Sequence, residues 1–311
     1  MMRALVTGGA GFIGSHIVDR LLADGHQVRV LDDFSTGKRG NLPEHPELTV
    51  VEGDVGDFDT VTEAMAGVDR VFHEAAVASV PRTLDDPVGS HRANYMGTLH
   101  VLEAARRAGT QRVVFAASAA AYGDRAAPPN LETMPVDPVS PYAVDKVASE
   151  HICRVYHRLY GVETVCLRYF NVFGPRQDPS SPYSGVISIF TDCAREGRRP
   201  TVYGDGEQTR DFVFVSDVVE ANMRAAMTPG VGALTVNIGT GRTTTLNQLL
   251  AAIGRVTGAP MQADYAEPRA GDIRDSWADA SRAAETLGWS AEVELEQGLR
   301  ALLAAEASET A

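Results

Sequence analysis

Cysteine is scarce in this chain of 311 residues: there are three, Cys153, Cys166 and Cys193, with no CxxC spacing. That excludes a disulfide-stapled scaffold and a CxxC motif, and it points to reduced structural thiols in a reducing compartment, the cytoplasm. Long apolar runs are also lacking. No stretch reaches the ~18 residues that a membrane span takes. No basic segment leads into a long apolar one near the start, so no secretory signal is expected. Positive charge is in deficit, with 28 Lys and Arg against 41 Asp and Glu and a net charge of −13. Such a surface disfavours unspecific binding to nucleic acid or an anionic membrane, although a few local arginines can still hold an anionic ligand. The 8 histidines do not cluster at ligand spacing, so no metal is expected. No internal repeat is visible. What remains is 44% hydrophobic and 22% charged, ordinary for a soluble globular chain of one large or two interlocked domains.

The opening stretch carries the most information. A short apolar run (Ala4, Leu5, Val6) meets a glycine turn, Gly8, Gly11 and Gly14. A helical apolar pattern follows at Phe12, Ile13, Ile17, Val18, Leu21 and Leu22, and a second strand, 27–31, leads to Asp32. A diphosphate meets backbone N–H groups only where no Cβ intervenes, and a helix N-terminus adds positive potential. Asp32 lies 18 residues past Gly14. A carboxylate there accepts both hydroxyls of an adenosine ribose and repels a 2′-phosphate, which favours NAD over NADP.

Strand-like runs at 3–7, 27–31, 48–52, 69–73, 111–116 and 162–168 alternate with helical ones at 12–24, 57–66, 87–108 and 140–160. The alternation predicts an α/β fold, a doubly wound parallel sheet of Rossmann type. Right-handed crossovers place the C-terminal strand ends along one crevice, lined by Asp54, by Glu74, Ala75 and Ala76, by Ser118 and by Tyr169, Phe170 and Asn171. Near 171, Pro and Gly become frequent and elements shorten. We therefore expect a dinucleotide-binding domain over 1–170 and a smaller mixed α/β substrate domain over 171–311, with the strand-like segments 212–215 and 234–238 returning to the main sheet.

Tyr142 and Lys146 form a YxxxK pair on a helix opened by Ser140 and Pro141, and a spacing of four puts both on one face. A free tyrosine has a pKa of about 10, too high for a base near neutrality. The Lys ammonium and a nicotinamide cation would favour the phenolate; a drop of about 3 units takes roughly 4 kcal/mol. Ser118, ending the fifth strand, can donate to the same substrate hydroxyl. Alone, the YxxxK pair reads equally as a surface pair, and Ser118 as the cap of a turn; the glycine turn upstream favours the catalytic reading.

Together these motifs resemble the extended short-chain dehydrogenase/reductase family, and within it the UDP-glucose 4-epimerase-like enzymes. The resemblance runs through TGGAGFIG at 7–14, Asp32, Asp54, His73-Glu74-Ala75-Ala76, Asn94 with Gly97-Thr98, Ser118 with Tyr122-Gly123, and Tyr142-xxx-Lys146. It continues through Arg168-Tyr169-Phe170-Asn171, Gly204-Asp205-Gly206, Arg210-Asp211-Phe212, Pro268-Arg269-Ala270-Gly271-Asp272 and Trp277-Ala278-Asp279. It implies that Gly8, Gly11, Phe12, Ile13 and Gly14 hold the NAD diphosphate. Asp32 would take the adenosine ribose, with Asp33, Ser35 and Gly37 nearby, and Asp54 and Val55 would face the adenine. Ala75, Ala76, Asn94 and Tyr169 would complete the cofactor site. Tyr142 would be the base, assisted by Ser118, and Lys146 would also hold the nicotinamide ribose.

On the sugar-nucleotide side, the resemblance assigns Ser118, Asn171, Val186, Arg210 and Arg269, the arginines at the diphosphate, with Tyr203 stacking on uracil and Asp272 binding the uridine ribose. Read alone, Arg210, Asp211 and Arg269 suit surface ion pairs. The implied reaction oxidises a UDP-sugar transiently at C4 and returns the hydride to the opposite face. The implied assembly is a homodimer through the apolar faces of helices 87–108 and 140–160.

Related dehydratases and decarboxylases place acidic residues just after the strand-five Ser or Thr. This chain has Ala119, Ala120 and Ala121 there, which cannot move protons, so simple epimerisation is expected. Ser276 matches a gate position that is Tyr in the narrowest glucose/galactose enzymes; it leaves room for an N-acetyl group, unless it is merely a small loop residue. Asp178 would face a uronate carboxylate unfavourably. Neutral UDP-hexoses therefore rank first, N-acetylated sugars close behind and the uronate third. A dinucleotide-binding redox sensor is the non-enzyme alternative, disfavoured because Ser118, Tyr142 and Lys146 are all present.

Overall fold

A computed structural model describes residues 1–124, 127–178, 185–268 and 273–310. Its first part runs β1 (Arg3–Thr7), α1 (Phe12–Ala23), β2 (Gln27–Asp32), β3 (Leu48–Glu52), α2 (Phe58–Ala64), β4 (Arg70–His73), α3 (Val80–Asp85), α4 (Pro87–His91), α5 (Gly97–Ala108), β5 (Arg112–Ser118), α6 (Pro141–Tyr160) and β6 (Glu163–Tyr169). The later elements are mostly short: β7 (Asn171–Phe173), α7 (Val186–Arg195), β8 (Thr201–Tyr203), β9 (Thr209–Arg210), β10 (Phe212–Phe214), α8 (Val215–Met227) and β11 (Leu234–Ile238). They end with β12 (Thr244–Thr245), α9 (Leu246–Thr257), β13 (Asp264–Ala266), β14 (Asp275–Ser276), α10 (Ser281–Leu287) and α11 (Leu295–Thr310).

Seven strands form one parallel sheet in the order β11-β6-β5-β4-β1-β2-β3. The chain winds outward from β1 through β2 to β3, then returns to place β4 on the other side of β1. This reversal opens a crevice at the carboxyl ends of β1 and β4. One face of the sheet is covered by α1 and α8 around Ile17, Leu21, Phe72 and Val218. The other is covered by α2, α5 and α6 around Leu5, Val101, Phe115 and Cys153.

Two expectations need correction. Leu234–Ile238 does join the main sheet, as its outer strand beside β6, but Phe212–Phe214 does not. It pairs with β7 in a separate two-stranded sheet, because Phe173, Phe212 and Phe214 fill a third core with Phe190 and Leu249. The helix expected over 87–108 is present but uneven. Between α4 and α5, residues Arg92–Met96 form a wider turn of π-helical type, and an unexpected short helix, α3, precedes it. Asp86 separates the two short helices: its carboxylate accepts from the Gly89 N–H (2.9 Å), and Pro87 starts the next helix.

The C-terminus of α8 is held by guanidinium groups from the sheet. Arg112 is buried and donates from Nη1 to the carbonyls of Ala225, Ala226 and Thr228 (2.8, 3.1 and 2.7 Å). Its Nε and Nη2 meet Glu163 (2.9 and 2.5 Å), and Arg70 Nε adds a bond to Ala226 (3.2 Å). Carbonyls at a helix end have no partner inside the helix, so these cations satisfy them and complement the helix dipole. Replacing Arg112 by Met should lower unfolding stability by about 2–3 kcal/mol, measured by urea denaturation, because buried carbonyls lose their donor. A loss below about 0.5 kcal/mol would mean that water substitutes freely.

Candidate active site

The crevice begins at the glycine turn. Gly8 has a left-handed φ of +67°, and a Cβ there would come within 2.7 Å of the Ala75 amide nitrogen. A Cβ on Gly14 would lie 2.2 Å from the Gly8 carbonyl oxygen. Both positions are therefore confined to glycine, and the turn lies directly on the end of β4. Gly11 precedes α1 without a side-chain cap. The N–H groups of the first helical turn have no carbonyl partner within the helix and suit an anion. A crevice of about 290 Å³ is lined by this turn, by Asp32, Asp33, Ser35 and Gly37, by Asp54 and Val55, and by Glu74, Ala75 and Ala76. A cradle that any Cβ would fill, followed by a carboxylate, fits a dinucleotide.

Asp32 is buried at the end of β2. Its carboxylate accepts from the N–H groups of Ala10 and Phe34 (2.8 and 2.9 Å). Burial raises its pKa, and the two backbone donors oppose that. A Cβ on Gly37 would sit 2.8 Å from Asp32 Oδ1, so glycine lets this loop cross the carboxylate. Ser35 donates to Asp33 Oδ1 (2.7 Å). Asp54 accepts from the Gly56 N–H (2.7 Å).

Two residues assigned to the cofactor have their polar groups engaged elsewhere. Asn94 is buried in the π-helical turn and clasps the Val77 backbone, accepting from its N–H (2.7 Å) and donating to its carbonyl (3.3 Å). The neighbouring Ala93 lines the crevice, with Val77 and Ala78. The Tyr169 hydroxyl donates to Glu74 Oε1 (2.9 Å) and accepts from Asn222 Nδ2 (2.7 Å).

Ser140 and Pro141 open α6 as expected: the Ser140 hydroxyl accepts from the Ala143 N–H (3.2 Å). This helix carries Tyr142 and Lys146 to the end of β5. Ser118 interacts with the Tyr142 hydroxyl, lowering its pKa, and its Oγ accepts from the Ala120 N–H (3.1 Å). Lys146 is buried, donates to the Ala116 carbonyl (2.6 Å), and places Nζ 5.7 Å from the Tyr142 ring centroid. The three groups assigned to catalysis are thus brought together.

The electrostatics differ from expectation. Within the protein alone the Tyr142 pKa is raised, first by burial and then by the Glu74 charge, with only the Ser118 hydrogen bond opposing. Burial also depresses Lys146, partly offset by Glu74 and Asp145. Burial lifts Glu74 well above the usual carboxylate range. His73 is buried, bridges Thr7 Oγ1 (2.7 Å) and Thr98 Oγ1 (3.1 Å), and is pushed down to about 3 by burial and by Lys146. It is a neutral core group. The sequence reading set Glu74 in the crevice but missed its charge; the signal was an acidic residue directly after the histidine that ends β4.

Beyond the catalytic group, Asn171 lies exposed at the start of β7 and Val186 opens α7. A second cavity of about 450 Å³ is lined by Tyr203, Asp205, Gln208, Pro268 and Arg274. Arg210 lies in β9 between β12 and β14, with Ser276 as its register partner. The surface-pair reading of Asp211 does not hold. Asp211 is fully buried and accepts from Thr240 N, Thr240 Oγ1, Gly241 N and Ala278 N (2.8, 2.6, 3.0 and 3.1 Å). Arg269 and Asp272 fall outside the described residues. No group of His, Cys, Asp and Glu among the described residues is arranged to hold a metal. None of their helices is long and apolar enough to cross a membrane.

The chain is 45% identical over 303 residues to the UDP-glucose 4-epimerase of Mycolicibacterium smegmatis, covering 96% of each. Its fold superposes on a UDP-glucose 4-epimerase from Thermotoga maritima, solved with UDP-glucose, at a TM-score of 0.95 and 38% identity, covering 100% of both chains. It matches equally a UDP-N-acetylglucosamine 4-epimerase from Methanobrevibacter ruminantium, solved with UDP-N-acetylmuramic acid, at 0.95 and 37% identity over 99% of both. Residues 4–239 match the pattern of one family throughout, and with these relatives they settle the assignment: the chain belongs to the NAD-dependent epimerase/dehydratase family.

Proposed function

We infer that this protein is an NAD-dependent 4-epimerase of UDP-hexoses, of the UDP-glucose/UDP-galactose type. The observation that carries the reading is the convergence of Ser118, Tyr142 and Lys146 beside a glycine-lined crevice, with no proton-moving side chain at Ala119, Ala120 or Ala121. The glycine turn and α1 would hold the diphosphate of NAD, and Asp32 the adenosine ribose. Lys146, assigned to the nicotinamide ribose, has its ammonium turned to the Ala116 carbonyl. Bound NAD supplies a two-electron acceptor for the hydride at sugar C4 and gives the same hydride back.

The chain's own part is the movement of a proton. The Tyr142 oxygen takes it from the sugar 4-hydroxyl as C4 is oxidised, with Ser118 in hydrogen-bond reach. The 4-keto sugar turns about its diphosphate linkage past the small alanine wall. Tyr142 then returns the proton to the inverted hydroxyl. Burial and Glu74 both oppose ionisation of this phenol. The Lys146 ammonium and the positive charge of the oxidised cofactor are the groups that favour it.

Arg210 and Arg269 are proposed for the substrate diphosphate and Asp272 for the uridine ribose. Tyr203, which lines the second cavity, suits the uracil, since an aromatic face suits a base. Neutral hexoses stand first and N-acetylated hexoses close behind, because Ser276 is a small residue beside Arg210. The proposed setting is the cytoplasm; all three cysteines are free and buried. The proposed assembly is a homodimer. Leu84 on α3, Val88 on α4, and Val144, Val155 and Leu159 on α6 are each exposed apolar residues, Val88 at 79% and Leu159 at 64%, and supply apolar surface for a partner.

Three outcomes test this reading. Purified protein offered UDP-glucose, UDP-N-acetylglucosamine and UDP-glucuronate should convert the first fastest, by product chromatography; conversion of the uronate alone would overturn the ranking, and no conversion of any would overturn the function. Tyr142→Phe should lose about 10²–10⁴-fold in turnover while retaining NAD, since a positioned acid–base group contributes on that order. Near-normal epimerisation by that variant would remove Tyr142 from its role. Light scattering should report a dimer, and the double change Val88→Glu with Leu159→Glu should yield folded monomer; an unchanged dimer would place the interface elsewhere.

A further inference from the structure

Glu74 is an acidic residue that the reaction, as described, does not use. It follows β4 directly and lines the same crevice as Gly8, Ala75 and Ala76. Its position is fixed on two sides. Its backbone lies under the glycine turn, where a Cβ on Gly8 would approach the Glu74 carbonyl carbon to 3.0 Å. Its Oε1 accepts from the Tyr169 hydroxyl (2.9 Å). That hydroxyl accepts from Asn222 Nδ2 (2.7 Å), which also donates to the Val218 carbonyl (2.9 Å), so the relay runs from β4 through β6 into α8.

The titratable groups facing this carboxylate are Tyr142 and Lys146 from α6 and Tyr169 from β6. Among the described residues no cation makes an ion pair with it: the Lys146 ammonium is turned to the Ala116 carbonyl. Ionising this buried carboxyl is costly where it sits, and its charge raises the pKa of the phenol that the reaction needs ionised. A carboxylate kept in that place calls for a compensating benefit.

We propose that Glu74 poises the bound cofactor: its carboxylate, held by Tyr169 and ionised beside the cofactor cation, biases the nicotinamide toward its positively charged, oxidised form. The proposal rests on the epimerase reading above. Reduction transfers two electrons and one hydrogen from sugar C4 to the ring, while the hydroxyl proton goes to Tyr142. The ring thereby passes from a charge of +1 to neutral. A nearby carboxylate stabilises the cationic side of that balance more than the neutral side. The consequence is that reduced cofactor stranded without its keto sugar is disfavoured, and the enzyme rests ready for the next hydroxyl.

Glu74→Gln isolates the charge, because the amide oxygen still accepts from Tyr169 and the volume is kept. Holoenzyme equilibrated with a dye couple of known potential is read by the 340 nm absorbance of reduced cofactor. At fixed potential, Glu74→Gln should raise the reduced-to-oxidised ratio about tenfold, equal to about 30 mV for a two-electron couple. Glu74→Asp, which keeps the charge but shortens the reach to Tyr169, should stay within about threefold of the wild type. An unchanged ratio in Glu74→Gln, with wild-type epimerisation intact, sinks this proposal and spares the epimerase reading. A shift of equal size in both variants would assign the effect to packing and sink it too. Absence of both epimerisation and any 340 nm change in the wild type would instead sink the epimerase reading.

Discussion

The site depends on one close approach, that of the first glycine turn to the end of β4. Gly8 rests on the Ala75 amide and Gly14 rests on the Gly8 carbonyl, both at distances no side chain allows. Because the sheet order reverses between β1 and β4, this contact sets the floor of the crevice at the point where the strand ends diverge. Everything else is placed relative to it. Asp32 ends the neighbouring β2 and binds back to Ala10 inside the turn. Glu74 lies underneath, and β5 and α6 bring Ser118, Tyr142 and Lys146 along the same edge. A shift of β4 would disturb the glycine turn and the proposed catalytic group together.

Burial gives the site its chemical character, and it does so against the intended ionisation states. It favours a neutral phenol at Tyr142, a neutral amine at Lys146 and a protonated carboxyl at Glu74. No charge in the protein resolves this conflict alone. Glu74 helps Lys146 stay charged yet hinders Tyr142 from losing its proton. A site balanced in this way is sensitive to one additional cation in the crevice, which pulls the phenol and the carboxylate toward their ionised forms.

Much of the fold is legible in the sequence because its signals are local. Period-two and period-3.6 patterns, the Ser140-Pro141 start of α6 and its left-handed Gly161 stop fix elements to within a residue or two. The glycine turn is legible because only glycine meets its steric demands. What the sequence hides is long-range. Phe212–Phe214 reads as a buried strand, but only the tertiary contact with Phe173 decides that it leaves the main sheet. Asn94 and Tyr169 belong to recognisable motifs, yet whether a polar atom serves a ligand or a neighbouring backbone depends on partners 17 to 95 residues away. The sign of the Tyr142 shift is equally hidden, since it follows from burial by the whole site rather than from the lysine four residues on.

Asp211 illustrates how a residue can matter to a binding site without touching a ligand. A charged pair such as Arg210-Asp211 reads naturally as solvent-facing, and half of that reading fails. The Asp211 carboxylate is sealed in the interior, where its four hydrogen bonds join the loops at 240–241 and 278. Its backbone carbonyl accepts from the Asn171 N–H (3.0 Å). A single buried anion, satisfied mainly by backbone donors, therefore sets the relative positions of Asn171, Arg210 and the strand that carries Ser276. Carboxylates satisfied this way lose little by being buried and fix geometry firmly, because every donor is itself part of the folded chain. The residues proposed for the sugar nucleotide are thereby held by the interior of the smaller, mixed part of the molecule, while the residues proposed for the cofactor are held by the main sheet. The two groups of proposed site residues meet where β6 passes into β7, at Tyr169, Phe170 and Asn171.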